Sequence, residues 1–202
     1  NNIHMEYIKN ILYTPGILYR KVMNENVIHD MNVERIYPKI SIMNVPSFYF
    51  SSPTHIIDNI YIGNVLNAQN DSIIDNIGIE GVINITEEIP NFFGDPINYP
   101  NIYNENIKYC NYRIKDINSG NITEDFSNII EFYKNNKDKK LLVHCFMGAS
   151  RSVIVAMLYL IHFHKMRPEI AVEYIRQRRP NINPNKLFYD QLVDYYFLNY
   201  NK

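Results

Sequence analysis

Leu141-Leu142-Val143-His144-Cys145-Phe146-Met147-Gly148-Ala149-Ser150-Arg151-Ser152 decides how the rest of the chain is read. Its opening residues are apolar and branched, as in a buried strand, and a short run of small residues follows. The apolar stretch Val153–Ile161 then predicts a helix. Strand, tight loop and helix make a cradle for an anion. The loop's backbone N–H groups converge, and the helix adds unpaired donors and the positive end of its dipole.

Chemistry follows from the side chains in that cradle. A thiol held there is favoured as thiolate, with a pKa lowered from about 8.5 to roughly 3.5–7.5, which makes Cys145 a nucleophile at neutral pH. Arg151 follows it after five residues, and its planar fork suits two oxygens of one phosphate. Ser152 donates a hydrogen bond to the thiolate and stabilises it again when it leaves. The plainer alternative is a structural cysteine buried before a helix.

Working outward, 202 residues suit one globular domain with an appendage, and 46% hydrophobic with 20% charged residues excludes a disordered or fibrous chain. A formal net charge of −1 gives no global reason to expect a nucleic acid or an anionic membrane as partner. Two cysteines, Cys110 and Cys145, are too few for a disulfide framework, and a working thiolate calls for a reducing compartment, cytoplasmic or nuclear. No apolar run reaches membrane-spanning length, and no apolar core of a signal peptide stands at the N-terminus. Asparagine and isoleucine are over-used everywhere, which reads as codon bias in an AT-rich genome. Asn1–His4, before Met5, reads as vector-derived.

Residues 1–52 form an N-terminal extension, with short helical faces at Ile8, Ile11, Leu12 and at Ile17–Met23, then a proline-punctuated stretch with Phe48, Tyr49 and Phe50. Its apolar content predicts packing on the main domain or on a second copy, as a homodimer. Residues 53–202 form the main domain. Expected there are a hairpin at His55–Gly63 turning at Asp58-Asn59, a helix Asn67–Asn76 stopped by Gly78, and a strand Gly81–Ile85. A surface loop Phe92–Asn106 leads to a strand Ile107–Ile114, then a helix Thr123–Asn136 capped by Thr123. Val153–Phe163, Pro168–Arg179 and Asn185–Tyr200 close the chain as helices. Strands alternating with helices predict an α/β domain with a mostly parallel sheet.

His-Cys-x5-Arg-Ser, bracketed by an apolar strand and containing Gly148, resembles the motif of the cysteine-dependent protein tyrosine phosphatases, and Gly148–Ser152 resembles their dual-specificity branch. Met147 departs from the smaller residue usual there. The exit Thr86-Glu87-Glu88-Ile89-Pro90 resembles the loop after the corresponding strand, and Arg179–Asn185 with Phe188, Gln191 and Leu192 resembles the closing segment, so the likeness spans about Ile56 to Leu198. It implies a phosphotyrosine-phosphatase-like three-layer fold, a central sheet flanked by helices.

The resemblance also assigns roles. Backbone amides of Phe146, Met147, Gly148, Ala149, Ser150 and Arg151 hold phosphate. An ester oxygen leaves poorly unless protonated, and the family places its general acid where Asp116 stands, at the start of Asp116–Asn121; Asp125 is the rival by distance. His144 is expected to order the loop. Asn185 is either a support of the loop from behind or an ordinary N-cap. Arg179 is either a contact for a second phosphate or acidic flank of the substrate, or a solvated helix end. Cys110 is either a partner for a protective disulfide with Cys145 or a small buried hydrophobe on a strand, and the second is favoured.

No metal or other cofactor is expected. His162 and His164 lack partners at ligand spacing, and the Gly-Lys-Ser/Thr ending of nucleotide-binding loops is absent. The implied partner is a phosphorylated protein. Phosphoinositide or RNA 5′-phosphate substrates are weighed against it, and disfavoured by the neutral side chains Phe146–Ala149. A binding module without catalysis is disfavoured because Cys145, Arg151 and Asp116 are all present.

Overall fold

Two apolar runs around Asp58-Asn59 form the expected hairpin, β1 (Thr54–Ile57) and β2 (Ile60–Gly63), in antiparallel register with Thr54 opposite Ile62. Asp58 turns the chain with φ 47°, a left-handed conformation that Asp tolerates. The structure is a computed structural model describing residues 51–114 and 120–200. The chain divides into two units, Asn1–Ser51 and Ser52–Lys202, and the second is described here. All but the last two residues of the expected extension, its predicted packing, and Asp116 lie outside the described residues.

The apolar run before Cys145 is β5 (Lys140–His144), and it lies at the centre of the sheet. With β3 (Ile79–Asn84) and β4 (Lys108–Asn111) the order is β1-β2-β5-β3-β4, and β2, β5, β3 and β4 run parallel. Parallel strands buried on both faces read as continuous apolar runs, and Leu141, Leu142 and Val143 are at most 1% exposed. The register matters most for function. Gly63 and Asn84 both lie opposite His144, and Asn111 lies opposite Asn84, so four strands end on one line. Open α/β sheets bind ligands beyond such carboxyl ends.

Alternate residues serve the two faces. Ile83, Ile85, Leu141 and Val143 join the main core with four helices: α3 (Phe126–Asn135), α4 (Arg151–His164), α5 (Pro168–Arg178) and α6 (Lys186–Asn199). Their neighbours Val82 and Leu142 are buried outside that cluster, as is Ile74 of α2 (Asp71–Ile77), which follows α1 (Val65–Ala68). Helices thus flank a mostly parallel sheet, the expected three-layer arrangement. α4 is apolar on nearly every side because it packs against β2, β5, α3, α5 and α6.

Three local expectations are corrected. The helix expected over Asn67–Asn76 is two, because Asn70 caps α2 by accepting from Ile73 N–H, 3.2 Å; Gly78 ends α2 at φ 75° as expected. Thr123 is not the cap of α3. Its N–H and hydroxyl both go to Asn121 Oδ1, and a 3₁₀ turn Thr123–Asp125 intervenes. The strand expected over Ile107–Ile114 pairs only through Asn111 and then leaves the sheet toward Arg151.

Candidate active site

The loop Cys145–Ser150 leaves β5 between β2 and β3 and enters α4 at Arg151. Its outward carbonyls are each met by a donor. Val65 N–H bonds Phe146 O at 3.1 Å and Asn183 N–H bonds Ala149 O at 2.8 Å. Arg179 gives Nη2 to Met147 O at 3.4 Å and Nε to Gly148 O at 2.7 Å. Carbonyls held outward leave the amides to turn inward, and Gly148 N–H donates to Cys145 Sγ at 3.2 Å. Gly148 has φ +69°, and a Cβ there would lie 2.5 Å from Gly63 O and 2.7 Å from Arg179 Nη2. No other residue fits that turn.

Cys145 is 1% exposed, and burial alone pushes a thiol pKa up. Opposing it are the Arg151 charge, the Ser152 hydroxyl 3.2 Å from Sγ, and the backbone N–H groups of Ser152 and Ser150, and together they hold the thiol below its ordinary value. His144 differs: burial drives its ring down to about 4, a backbone hydrogen bond with Cys145 opposing, so it is neutral near pH 7. It stands at the end of β5, immediately before Cys145, with its side chain enclosed.

Arg151 is 2% exposed, and a buried guanidinium needs compensation. Glu88 supplies it as a fork: Nη2 donates to Oε1 at 2.6 Å and Nη1 to Oε2 at 3.0 Å, while Nη1 also reaches Ile114 O at 2.7 Å. Asn84, at the end of β3, shapes the loop that presents Glu88. Its Nδ2 donates to Ile89 O (2.7 Å) and Asn91 Oδ1 (2.9 Å), and its Oδ1 accepts from the Thr86 N–H and hydroxyl.

Cys145, Arg151, Ser152, His144 and the loop Phe146–Ser150 lie together beyond the end of β5. Asn185 serves both of its alternatives: its N–H donates to Ser150 Oγ at 3.1 Å, and its Oδ1 caps α6 through Leu187 N–H at 2.9 Å. Arg179 is not the solvated helix end that one alternative expected. It is 6% exposed and its fork lies on the carbonyl side of the loop, with Nη1 on Thr54 Oγ1 at 3.0 Å. Asp125 precedes α3, its carboxyl pushed up by burial and by Glu124. Asp116 stands between two described anchors: Ile114, bonded to Arg151, and Gly120, whose carbonyl accepts from Gln191 Nε2 at 2.9 Å while Gln191 Oε1 accepts from Ile122 N–H at 3.0 Å.

Sequence reasoning gave no role to Glu88 or Asn84, and none to Gln191 beyond its place in a familiar segment. One signal was available for Glu88: a buried arginine at an anion site demands an acid, and Glu87-Glu88 lie at the exit of a neighbouring parallel strand. Among the described residues no group of three or more His, Cys, Asp or Glu side chains is placed to hold a metal ion, and no helix is long and apolar enough to cross a membrane.

Comparison with known proteins agrees with this geometry. The chain is 32% identical over 146 residues to the protein phosphatase Slingshot of Drosophila melanogaster, covering 71% of this chain and 13% of that protein. It is 31% identical over 147 residues to human dual specificity protein phosphatase 9, covering 72% and 36%. The chain thus spans well under half of these relatives. A crystal structure of the human tyrosine phosphatase-like serine/threonine/tyrosine-interacting protein matches with a TM-score of 0.64 and 27% identity, covering 73% of this chain and 97% of that one. The family model described as dual specificity phosphatase, catalytic domain, matches residues 60–197. With the nucleophile loop, the paired arginine and the sheet that carries them, that match makes the chain a member of the dual specificity phosphatase catalytic-domain family.

Proposed function

We propose that this chain is a cysteine-dependent protein phosphatase that hydrolyses phosphotyrosine and phosphoserine or phosphothreonine esters. The observation that carries the reading is a buried Sγ whose pKa is held below the ordinary thiol value by Arg151, Ser152 and inward amides. Cys145 Sγ attacks phosphorus, the P–O ester bond breaks, and the leaving oxygen takes its proton from Asp116. Loop amides of Phe146–Arg151 and the Arg151 guanidinium stabilise the equatorial oxygens. Water then attacks the phosphocysteine, giving its proton to Asp116, and the S–P bond breaks to return a thiolate that Ser152 receives.

Asp116 is assigned from its chemistry and its place between Ile114 and Gly120, two residues tied to Arg151 and Gln191. The neutral side chains Phe146–Ala149 favour a phosphoprotein over a phosphoinositide or an RNA 5′-phosphate, and an intact nucleophile favours catalysis over binding alone. A low-pKa thiolate stays reduced in a cytosolic or nuclear setting. The test is a panel of phosphopeptides, phosphoinositides and 5′-phosphorylated RNA, run with wild type, Cys145→Ser and Asp116→Asn. Phosphopeptide turnover is expected to dominate and to vanish in Cys145→Ser. Asp116→Asn is expected to lose about 10²–10⁴-fold on alkyl esters and less on aryl esters, whose leaving groups need the proton less. Lipid turnover above peptide turnover would reverse the substrate assignment, and an unchanged alkyl rate would move the acid elsewhere.

A further inference from the structure

The loop after β5 has an amide face and a carbonyl face, and one side chain controls much of the second. A peptide unit is planar and nearly always trans, so the C=O of one residue and the N–H of the next are opposite ends of a single rigid dipole. Met147 C=O shares its unit with Gly148 N–H, the donor to Cys145 Sγ. Gly148 C=O shares its unit with Ala149 N–H, one of the amides assigned above to phosphate. Both carbonyls accept from Arg179, at 3.4 Å and 2.7 Å.

We propose that Arg179 is a positioning residue that sets the polarity of the catalytic loop from behind, by drawing on the acceptor ends of two consecutive peptide units whose donor ends serve the thiolate and the bound phosphate. The proposal rests on the phosphate-loop reading above. Hydrogen bonds in series polarise one another, and a charged donor at one end strengthens the next. The arginine is itself fixed, by its Nη1 on Thr54 Oγ1 at 3.0 Å and its N–H on Ile175 O at 2.8 Å where α5 ends. Its Nη2 also occupies the space that a Cβ on Gly148 would need. The loop's left-handed turn is thus moulded on the guanidinium.

Other charged or titratable groups act on the thiol by other routes: Arg151 from α4 directly, Glu88 through its pairing with Arg151, and neutral His144 from β5. Burial lowers the Arg179 pKa and the Cys145 charge raises it. A lysine would keep the charge but gathers its donors on one nitrogen, so it cannot reproduce the separate contacts of Nε, Nη1 and Nη2.

The experiment follows alkylation of Cys145 by iodoacetamide against pH in the full chain, as wild type, Arg179→Met and Arg179→Lys. Alongside are kcat and KM for an aryl phosphate and competitive inhibition by inorganic phosphate. Arg179→Met is expected to raise the thiol midpoint by about one unit and weaken phosphate inhibition about tenfold. Arg179→Lys is expected to recover part of the midpoint through its charge and little of the phosphate affinity. An unmoved midpoint in folded Arg179→Met protein, judged by circular dichroism, overturns the proposal whatever happens to kcat. If that variant does not fold, Arg179→Lys decides, and wild-type phosphate inhibition there overturns it. A loss confined to KM for doubly phosphorylated peptides also overturns it and makes Arg179 a substrate contact. Failure of the phosphatase reading is a separate result, turnover that survives in Cys145→Ser protein.

Discussion

The ends of β4 and β5 each carry a cysteine, and the two could hardly be more different. Cys110 sits on β4 opposite Ile83 at 8% exposure, and Cys145 follows β5 at 1%. Burial pushes both thiols up. For Cys110 it wins: the pKa rises to about 11, with a Tyr112 hydrogen bond opposing and the Asp125 charge adding to it. For Cys145 the same penalty is larger in kind, since the group is wholly enclosed, yet it loses to Arg151, Ser152 and the loop amides. Burial alone therefore does not say whether a cysteine is inert. What decides is whether a cation and free donors face it: Arg151 first, then Ser152 and the loop amides surround Cys145, whereas Cys110 lies in β4, which pairs to Asn111, and has only Tyr112 opposing its burial.

The comparison breaks first at the nucleophile. Cys145→Ser is expected to reduce phosphate-ester hydrolysis by about 10⁴-fold or more, since a serine hydroxyl stays protonated in the same cradle. Cys110→Ser is expected to leave kcat within about twofold, because its side-chain hydrogen bond is to Tyr112 and it takes no part in the loop Cys145–Ser150. Comparable losses in the two variants, measured as initial rates on one aryl phosphate, would erase the distinction. A second effect tests the donor side. Glu88→Ala leaves Arg151 buried without its carboxylate, and kcat/KM is expected to fall about 100-fold, with Glu88→Gln recovering much of it through its remaining acceptor. A fall no greater than that of an exposed control such as Glu173→Ala would mean that Arg151 is oriented without Glu88.

The nucleophile end was legible in the sequence because its information is local. A branched run, a small-residue turn and an apolar helix are contiguous, and a side chain's role follows from neighbours within seven positions, as for Cys145 and Ser152. The sheet order was accessible only as a class, since nothing local tells β5 to lie between β2 and β3. Residues acting across the chain were hidden in proportion to their separation. Glu88 reaches Arg151 over 63 positions, and Arg179 reaches Thr54 over 125. From sequence Arg179 ends a helix among other basic residues, and such a residue looks solvated or outward-facing. The closing segment folds back instead, with Asn183 on Ala149 O and Asn185 on Ser150 Oγ, and that return buries it. Thr123 failed for the opposite reason. A cap is a local contest, and Asn121, two residues away, won both of its donors.

The smallest effect separates the two thiols by the sign of their contribution to stability. A raised folded pKa favours the protonated form, so the Cys110 contribution is intact below the ordinary thiol value of 9.0 and is lost as pH rises toward about 11. Over that window the unfolded chain releases a proton that the folded chain keeps, and stability falls by at most about 1.4 kcal/mol per pH unit. Cys145 runs the other way. Its lowered pKa favours the thiolate, so its contribution is present above the ordinary value and is lost as pH falls through the folded value. Denaturant midpoints measured against pH should therefore show an alkaline sag that Cys110→Ala flattens, while Cys145→Ala weakens the region above the ordinary thiol value relative to acid. Parallel profiles for wild type and Cys110→Ala would mean that Cys110 titrates normally, and the electrostatic contrast between the ends of β4 and β5 would then rest on the lowered Cys145 alone.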